Sequence, residues 1–458
     1  MAAEIGLAAV HLLPEVAGTI FEWYNLSHEG GKFGFDNVQV KIINHTDMKL
    51  RRTNCGSDEC YWGYTDNGQS QYHTEPAEFI NPRSSTHGTA SRNGLGHLIS
   101  SVQYTPEGSN DPICNIWFNN PFAGADDAKV YSSGEWTNRG YAVQYIEESK
   151  GQNYWFTVVI YEKLSTPGGD QRVPDRFLSE SPSPVVRDGK IYCFTRGHDN
   201  DRLWYTVYED LGNGNWQWRR DTDCITGLAC SPSAVLYKDK IFIFHQDHGM
   251  AGELYFDAIG PNDVRDGDKR VSTHDSWMSF SPSAVVYDDK LWVFYHGQGQ
   301  DGTLRYNIWN GNSWEGEQRV PAGISESPSA VVYDNRLFVF YQGANRSSTL
   351  WFSEFKSTGK GGRGTWTGNT QVPGLMMSSS PSAVTINNRI YIFHRAAANG
   401  KSLWGIVYTM GKFSADDEFF DMAMANSPGA VLFNNKIYCF HQGQEGSNSL
   451  WYKTITPR

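Results

Sequence analysis

The sequence contains no apolar run that approaches the roughly 20 residues needed for a helix to cross a bilayer. Cations are also in short supply, because 39 lysines and arginines face 50 aspartates and glutamates and leave a net charge of −11. Phosphate contacts require clustered lysines and arginines. We therefore expect neither a membrane-spanning helix nor nucleic acid as a partner.

Signatures of common catalytic sites are missing as well. The chain has no Gly-x-Ser-x-Gly, His-Glu-x-x-His or phosphate-loop pattern, and no Ser-x-Asp-x-Gly-x-x-Trp box. The seven cysteines show no zinc-ligand spacing, although Cys55 with Cys60 and Cys224 with Cys230 are close enough in sequence for local disulfides. We expect no metal, no cofactor and no enzymatic activity, with a glycosidase as the less favoured alternative.

The N-terminus lacks the basic region of a signal peptide, and Pro14 interrupts its apolar residues. The protein is expected to stay cytoplasmic until it is released or exported by another route, and to act at the surface of a target cell. Residues 1–25 carry an apolar residue every three to four positions, which predicts an amphipathic helical segment. That segment could pack on its own domain or insert into a membrane.

Tandem repeats occupy most of the chain. The motif Ser281-Pro-Ser-Ala-Val-Val-Tyr287 has five similar copies in the chain. The prolines of the six copies are Pro182, Pro232, Pro282, Pro328, Pro381 and Pro428. The prolines are 46 to 53 residues apart. A period near 50 residues, filled with short β segments, is typical of a propeller.

Each unit reads as four antiparallel strands. In the unit of Ser281 these are Ala284–Tyr287, Leu291–Tyr295, Leu304–Trp309 and Trp314–Val320, and Asn310-Gly311 is a strong hairpin signal. The fold class is therefore all-β, with one four-stranded blade per repeat.

The sixth unit ends after its third strand, Leu450–Ile455. The segment Gln171-Arg-Val-Pro174 resembles the outer-strand segments Gln318-Arg-Val-Pro321 and Thr370-Gln-Val-Pro373, yet it precedes the first unit. This arrangement predicts a six-bladed β-propeller closed by strand exchange, with no exposed sheet edge.

Residues before the repeats form a different β pattern. Strands are predicted at Val38–Asn44, Met48–Thr53, Gly94–Tyr104, Cys114–Phe118, Tyr141–Ile146 and Tyr154–Tyr161, without a 50-residue period. We assign residues 1–163 to a β-sandwich with an amphipathic N-terminal segment, 164–169 to a linker and 170–458 to the propeller.

The second strand of each unit ends in a polar, partly aromatic pair, such as Thr195-Arg196 or His245-Gln246, and a large residue, in most units Trp or Tyr, follows a few positions later. A sugar needs a flat aromatic face for its C–H groups and hydrogen-bonding side chains for its hydroxyls. The alternative is that the aromatics only pack blade on blade. The candidate sugar-binding residues are Arg196, Trp204, His245, Tyr255, Tyr295, His296, Tyr341, Gln342, Trp351, His394, Arg395, Trp404, His441, Gln442 and Trp451.

These repeats resemble those of the PLL-type bacterial propeller lectins. The matching strings are Ser281–Tyr287, Phe440-His-Gln-Gly443 and Leu450-Trp-Tyr452. The resemblance implies binding of fucose or related monosaccharides on cell-surface glycans, at sites between adjacent blades. The chain departs from the pattern in having six units and in carrying Arg305 where the aromatic is expected.

Residues 1–163 resemble cytolysins of the actinoporin-like and aegerolysin type, through Ile43-Asn44, Phe79-Ile-Asn-Pro82 and Trp117-Phe-Asn-Asn-Pro-Phe122. The resemblance implies contact with membrane lipids and assembly of copies into pores. Candidate lipid-binding residues are Trp117, Asn119, Pro121, Phe122, Tyr131, Tyr141 and Tyr145, unless their rings face a core.

The two resemblances together imply a glycan-binding toxin or defence protein with a membrane-active domain. Fungal actinoporin-like lectins share the sandwich, so the alternative is a non-lytic lectin whose first domain is a second glycan-binding or oligomerisation module.

Overall fold

A computed structural model describes residues 37–44, 46–58, 61–62, 75–82, 84–91, 97–121, 127–150, 153–162, 169–249, 252–271, 276–358, 364–397, 400–409, 411–414, 416–444 and 447–457. The chain separates into two compact units, Met1–Lys163 and Leu164–Arg458. Strands predominate in the described part of each unit. None of the helices within these ranges has the length and apolar character needed to cross a membrane.

The described part of the first unit contains two five-stranded sheets, which we call N1 and N2. Sheet N1 has the order β3 (Tyr61–Trp62), β5 (Ser84–Ser91), β1 (Asn37–Asn44), β10 (Asn153–Glu162) and β9 (Tyr141–Lys150). Sheet N2 has the order β4 (Phe79–Ile80), β2 (Leu50–Asp58), β6 (His97–Pro106), β7 (Cys114–Pro121) and β8 (Asp127–Tyr131).

One core joins the two sheets of the first unit. Val40 and Val158 from N1 pack with Tyr104 and Phe118 from N2, and all four are buried. A single helical turn, α1 (Gly134–Asn138), adds the buried ring of Trp136. The two sheets therefore bury alternate side chains against each other.

The described part of the second unit contains six antiparallel sheets, numbered here in chain order by their first strands. Sheet 1 contains β12 (Ser183–Arg187), β13 (Lys190–Arg196), β14 (Arg202–Asp210), β15 (Trp216–Trp218) and β16 (Thr222–Gly227). Sheet 2 contains β17 (Ser233–Tyr237), β18 (Lys240–Gln246), β19 (Leu254–Ile259) and β20 (Lys269–Arg270). Sheet 3 contains β21 (Met278–Tyr287), β22 (Lys290–Gly297), β23 (Thr303–Trp309) and β24 (Gln318–Gly323).

Sheets 4 to 6 repeat this pattern. Sheet 4 contains β25 (Ser329–Tyr333), β26 (Arg336–Gln342), β27 (Thr349–Ser357), β28 (Gly364–Trp366) and β29 (Thr370–Met376). Sheet 5 contains β30 (Ser382–Ile386), β31 (Arg389–Arg395), β32 (Ser402–Thr409), β33 (Lys412–Phe413) and β34 (Asp417–Ala423). Sheet 6 contains β35 (Gly429–Phe433), β36 (Lys436–Gln442), β37 (Ser449–Ile455) and, from the start of the unit, β11 (Gln171–Phe177).

The outer strand of sheet 3 differs from its predicted position. It begins at Gln318 rather than at Trp314. Trp314 makes an isolated bridge with Trp309, and its ring packs against Phe244 of sheet 2. The residues after the Asn310-Gly311 turn therefore fill the space between two sheets before the outer strand starts.

The Ser-Pro-Ser-Ala motif joins neighbouring sheets. The second serine of each motif accepts a hydrogen bond from the alanine N–H of the next sheet, as Ser233 does from Ala284 at 3.0 Å. The same bond joins Ala234 to Ser183, Ala330 to Ser283, Ala383 to Ser329 and Ala430 to Ser382. Each hydroxyl thus accepts from a backbone N–H at the edge of a first strand, where no neighbouring strand of the same sheet provides an acceptor.

The junction of sheet 6 with sheet 1 has neither of these groups. Pro184 stands in place of the alanine and has no N–H, and Gly429 stands in place of the serine. A Cβ atom on Gly429 would lie 2.2 Å from the carbonyl oxygen of Pro182, so a serine would clash. The two exceptions are therefore complementary, because a junction without a donor needs no acceptor.

Contacts among the first strands run β12–β17–β21–β25–β30–β35 and return from β35 to β12. In sheet 6, β11 pairs with β37, with Gln171 opposite Tyr452 and Arg172 opposite Trp451. The buried side chain of Val173 packs with Phe440 of the same sheet. The segment that was predicted to supply the outer strand of the sixth repeat therefore pairs with β37 as expected. The six sheets form a propeller-like array.

Val173→Ala should destabilise the second unit, because Val173 is fully buried where β11 joins sheet 6. We expect the free energy of unfolding, measured by urea denaturation, to fall by about 1.5–3 kcal/mol through lost burial and the cavity left behind. Val264→Ala is the matched control, since Val264 is 63% exposed and should change stability little. Equal effects of the two substitutions would contradict the role given to β11.

Candidate functional site

The first member of each predicted polar pair is buried, and in sheets 2 to 6 its ring bonds to a residue of the same sheet. The rings of His245, Tyr295, Tyr341, His394 and His441 are fully buried. Each bonds to the residue that precedes the outer strand of its sheet. The bonds are His245 to Asp268 (2.9 Å), Tyr295 to Glu317 (3.1 Å), Tyr341 to Asn369 (2.8 Å), His394 to Asp416 (3.0 Å) and His441 to Asp170 (3.0 Å).

The second member of each pair also serves the fold. Gln342 and Gln442 are nearly buried and donate to the carbonyl oxygens of Met377 (3.2 Å) and Leu178 (3.0 Å), at the ends of outer strands. Arg196 donates in the same way to Leu228 at 3.0 Å.

In sheet 3 the equivalent residue is His296, which is buried and accepts from the N–H of Gly302 at 3.0 Å. Burial lowers the pKa of this imidazole. Arg395 of sheet 5 is only half-buried. The buried members of both positions offer no surface to a sugar, so we leave them out of the site proposed below.

One large groove lies between sheet 6 and sheet 1, and we call it the Trp204 groove. It has a volume of about 800 Å³. Its lining residues are Pro174, Asp175 and Arg176 from β11, and Trp204, Trp218, Arg220, Asp221 and Asp223 from sheet 1. The groove therefore needs the strand that joins the beginning of the unit to its end.

Charged side chains meet in the Trp204 groove as two ion pairs. Nε of Arg176 lies 2.7 Å from a carboxylate oxygen of Asp221. Arg202 pairs with Asp223 at 3.0 Å. Burial raises the pKa of the Asp221 carboxyl to about 6, which the Arg176 guanidinium opposes only in part.

The indole of Trp204 is half-buried on the third strand of sheet 1. Its Nε1 donates to the side-chain oxygen of Asn200 at 3.2 Å, which fixes the ring without covering it. Thr195 lies opposite Trp204 on β13, where the other sheets place a buried ring. Without that ring, Asp221 has no histidine or tyrosine partner and faces Arg176 instead.

A smaller groove lies between sheets 2 and 3, and we call it the Arg305 groove. It has a volume of about 340 Å³ and is lined by Trp277, Gln298, Arg305 and Glu317. Arg305 bonds to Glu317 at 2.6 Å and also pairs with Asp301. The arginine that replaces the expected aromatic therefore belongs to a groove that also contains a tryptophan and a carboxylate.

The other predicted aromatics are half-buried on third strands. Trp351 donates to Thr349 at 2.8 Å, Trp404 to Ser402 at 3.1 Å and Tyr255 to Glu253 at 3.5 Å. Trp451 is also half-buried, opposite Arg172 of β11. These residues keep part of their rings exposed, and their assignment to sugar sites stays a prediction.

Several groove residues were not predicted from the sequence. They are Arg176, Trp218, Arg220, Asp221, Asp223, Trp277, Gln298 and Glu317. One signal for Asp221 and Glu317 was present, since Asp170, Asp221, Asp268, Glu317, Asn369 and Asp416 all precede an outer strand. In the described part of the chain no three His, Cys, Asp or Glu side chains come together as a metal site would require.

No protein-family model matches the chain, and no curated protein matches its sequence. Similar solved structures include AofleA from Arthrobotrys oligospora, with 10% identity, a TM-score of 0.42, and coverage of 70% of this chain and 82% of that chain. A mutant Aleuria aurantia lectin in complex with Fucα1-6GlcNAc has 13% identity, a TM-score of 0.36, and coverage of 70% and 92%. The neuraminidase-like protein of subtype N10 from A/little yellow-shouldered bat/Guatemala/060/2010 has 9% identity, a TM-score of 0.42, and coverage of 64% and 100%. These likenesses assign no function to this chain, so the proposals below depend on its own residues.

The raised pKa of Asp221 predicts how stability depends on pH. The folded protein should bind this proton more tightly than the unfolded chain, whose carboxyl has the ordinary value of 3.8. The stabilisation is complete below about pH 3.8 and is lost as the pH rises through about 6.

We therefore expect the free energy of unfolding of the wild type, relative to Asp221→Asn, to fall between pH 4 and pH 7. Urea denaturation at a series of pH values measures this difference. A difference that is flat or rises with pH would mean that Arg176 outweighs burial and would contradict the assignment.

Proposed function

We propose that the second unit is a lectin module that binds sugars in the grooves between neighbouring sheets. The observation that carries this proposal is the Trp204 groove. It combines a half-buried indole with guanidinium and carboxylate groups around a volume of about 800 Å³. An indole face suits the C–H patch of a pyranose, while Arg176, Asp221 and Asp223 can donate to and accept from its hydroxyls.

The Arg305 groove supports the same function in a smaller space. Trp277 supplies the aromatic face, Arg305 the donors and Glu317 the acceptor. A volume of about 340 Å³ suits a monosaccharide rather than a branched chain. The repeat sequence resembles that of fucose-binding propeller lectins, so fucose or a related monosaccharide is the sugar we propose.

We propose further that the six sheets form a six-bladed ring closed by β11. The succession of first-strand contacts, which returns from β35 to β12, supports this architecture. Several weak sites on one ring would retain the protein on cell-surface glycans by avidity.

The grooves are proposed to bind sugars without hydrolysing them. Glycosidases place two carboxyl groups on either side of the bond that is cleaved. Asp221 and Asp223 are two residues apart at the start of one strand, and each is engaged by an arginine. Asp175 also lines the groove, from β11, but it is exposed to solvent. This set of carboxylates suits hydroxyl recognition better than acid–base catalysis.

The membrane-active role of the first unit stays a prediction. Residues 1–36 and Phe122 lie outside the described residues, as do the side chains of Asn119 and Pro121. Among the other candidates, Tyr131 is 56% exposed and Tyr145 is 37% exposed, whereas Trp117 is half-buried. Tyr141 packs edge-on against Trp136, 5.4 Å between ring centres, so it faces the core.

Sugar binding can be tested by retention of the full chain on fucose resin. Trp204→Ala should weaken binding of methyl α-L-fucoside by on the order of 1 kcal/mol per groove, roughly fivefold in Kd. Trp216→Ala is the control, because Trp216 is half-buried on the same sheet but stacks on Tyr208 outside the groove. Titration calorimetry with each folded variant measures the difference.

Two outcomes would count against this proposal. One is wild-type protein that binds no fucoside or related monosaccharide at millimolar concentration. The other is release of free sugar from a nitrophenyl fucoside that is abolished by Asp221→Asn, which would show an enzyme.

A further inference from the structure

Sheet N2 of the first unit presents an outward face, which we call the N2 face. Along its strands the core side chains Val102, Tyr104, Ile116 and Phe118 alternate with outward ones. The described outward side chains are Arg51, Thr53, Asn54, Phe79, Ser101, Gln103, Thr105, Asn115, Trp117, Lys129 and Tyr131. This face belongs to neither the core nor the grooves of the second unit.

Amide and hydroxyl groups run across the N2 face from strand to strand. Thr53 donates to Gln103 at 3.0 Å, and Gln103 donates to Asn115 at 2.7 Å. Asn54 donates to Ser101 at 3.3 Å. These bonds orient the side chains in a row and leave hydrogen-bonding capacity on each amide.

Two aromatic rings stand beside this polar row. Tyr131 lies opposite Asn115, and Trp117 lies opposite Lys129, so the rings are diagonal neighbours on β7 and β8. Diagonal pairs in an antiparallel sheet are about 7–8 Å apart. Tyr131 is 56% exposed, and Trp117 is half-buried beneath the Lys129 ammonium, 5.3 Å from its ring centre.

The charges of the described N2 face are positive, although the whole chain carries −11. Arg51 and Lys129 are both exposed, on β2 and β8. Three strand spacings, about 14 Å, separate these strands. The face therefore carries a cation on each of two separated strands. Trp117 and Tyr131 lie near Lys129, and the amides of Gln103 and Asn115 lie on the strands between the two cations.

We propose that the N2 face binds an acidic polysaccharide chain laid across the strands. Carboxylates along such a chain would meet Arg51 and Lys129, and sugar rings would lie on Tyr131 and Trp117. The chain's hydroxyls would bond to Gln103, Asn115 and Asn54. A bilayer fits less well, because insertion of the two rings would bury this amide row without partners.

The proposal does not depend on sugar binding by the second unit. The test uses the full chain and immobilised polygalacturonate, with its methyl-esterified form as a probe of the same backbone without charge. Wild-type protein should bind polygalacturonate and lose affinity as salt is raised, since the ion pairs are exposed. Binding to the esterified chain should be at least tenfold weaker.

The matched variants separate charge from stacking. Arg51→Gln with Lys129→Gln should weaken binding at least tenfold, and Tyr131→Ala at least threefold. Arg139→Gln removes a charge from the same unit away from the N2 face, and it should leave binding unchanged. Melting temperatures check that each variant is folded, and Tyr131→Val, which suits a strand and has no ring, replaces Tyr131→Ala if the latter is not.

Several results would overturn the proposal. These are no binding of polygalacturonate, equal binding of the esterified chain, or no loss of binding with the double substitution. Binding only to vesicles of phosphatidylcholine and phosphatidylserine would also overturn it, and would favour the membrane-active prediction for this unit.

Discussion

In sheets 2 to 6 of the second unit, a backbone N–H at the edge of the first strand donates to a serine hydroxyl of the preceding sheet. The bond from Ala284 to Ser233 recurs at four further junctions with lengths of 2.8 to 3.0 Å. An unpaired N–H buried between sheets would cost about 1–3 kcal/mol. The repeat of Ser-Pro-Ser-Ala is therefore a structural requirement, and it fixes how closely each sheet approaches the next.

Each groove is lined by a carboxylate that precedes the outer strand of its sheet and contacts an arginine instead of a buried histidine. In sheets 2, 5 and 6 the aspartate before the outer strand is held by a buried histidine, as Asp268 is held by His245 at 2.9 Å, and in sheet 4 Asn369 is held by Tyr341. In sheet 1 the buried ring is replaced by Thr195, and Asp221 turns to Arg176 at a groove. In sheet 3, Glu317 is shared between Tyr295 and Arg305. The proposed sugar sites thus lie where the carboxylate before an outer strand contacts an arginine.

The sequence was enough to predict the repeated architecture, because its cues are local. The repeated Ser-Pro-Ser-Ala string, the Asn310-Gly311 turn and the resemblance of Gln171–Pro174 to later outer strands can each be recognised from a few adjacent residues. In the structure Asp288 and Asp289 both have positive φ, 50° and 55°, as a tight hairpin requires. In sheet 3 the first strand begins at Met278 rather than at Ala284, and the outer strand begins at Gln318 rather than at Trp314, which packs between sheets.

The site was harder to predict, because its residues come from different sheets. Arg176 and Asp221 are 45 positions apart and meet only when β11 lies beside sheet 1. The histidines and glutamines were interpreted as sugar ligands from their repetition, but repetition is equally expected of a polar group that holds every sheet together. Arg305 departs from the aromatic that the repeat predicts, yet with Trp277 it lines a groove.

A crystal structure of the protein soaked with methyl α-L-fucoside would test the central claim most directly. The account predicts sugar density against Trp204 and Asp221 in the groove between sheets 6 and 1, and against Trp277 and Arg305 between sheets 2 and 3. Density confined to other parts of the surface, with both grooves empty at saturating fucoside, would contradict it.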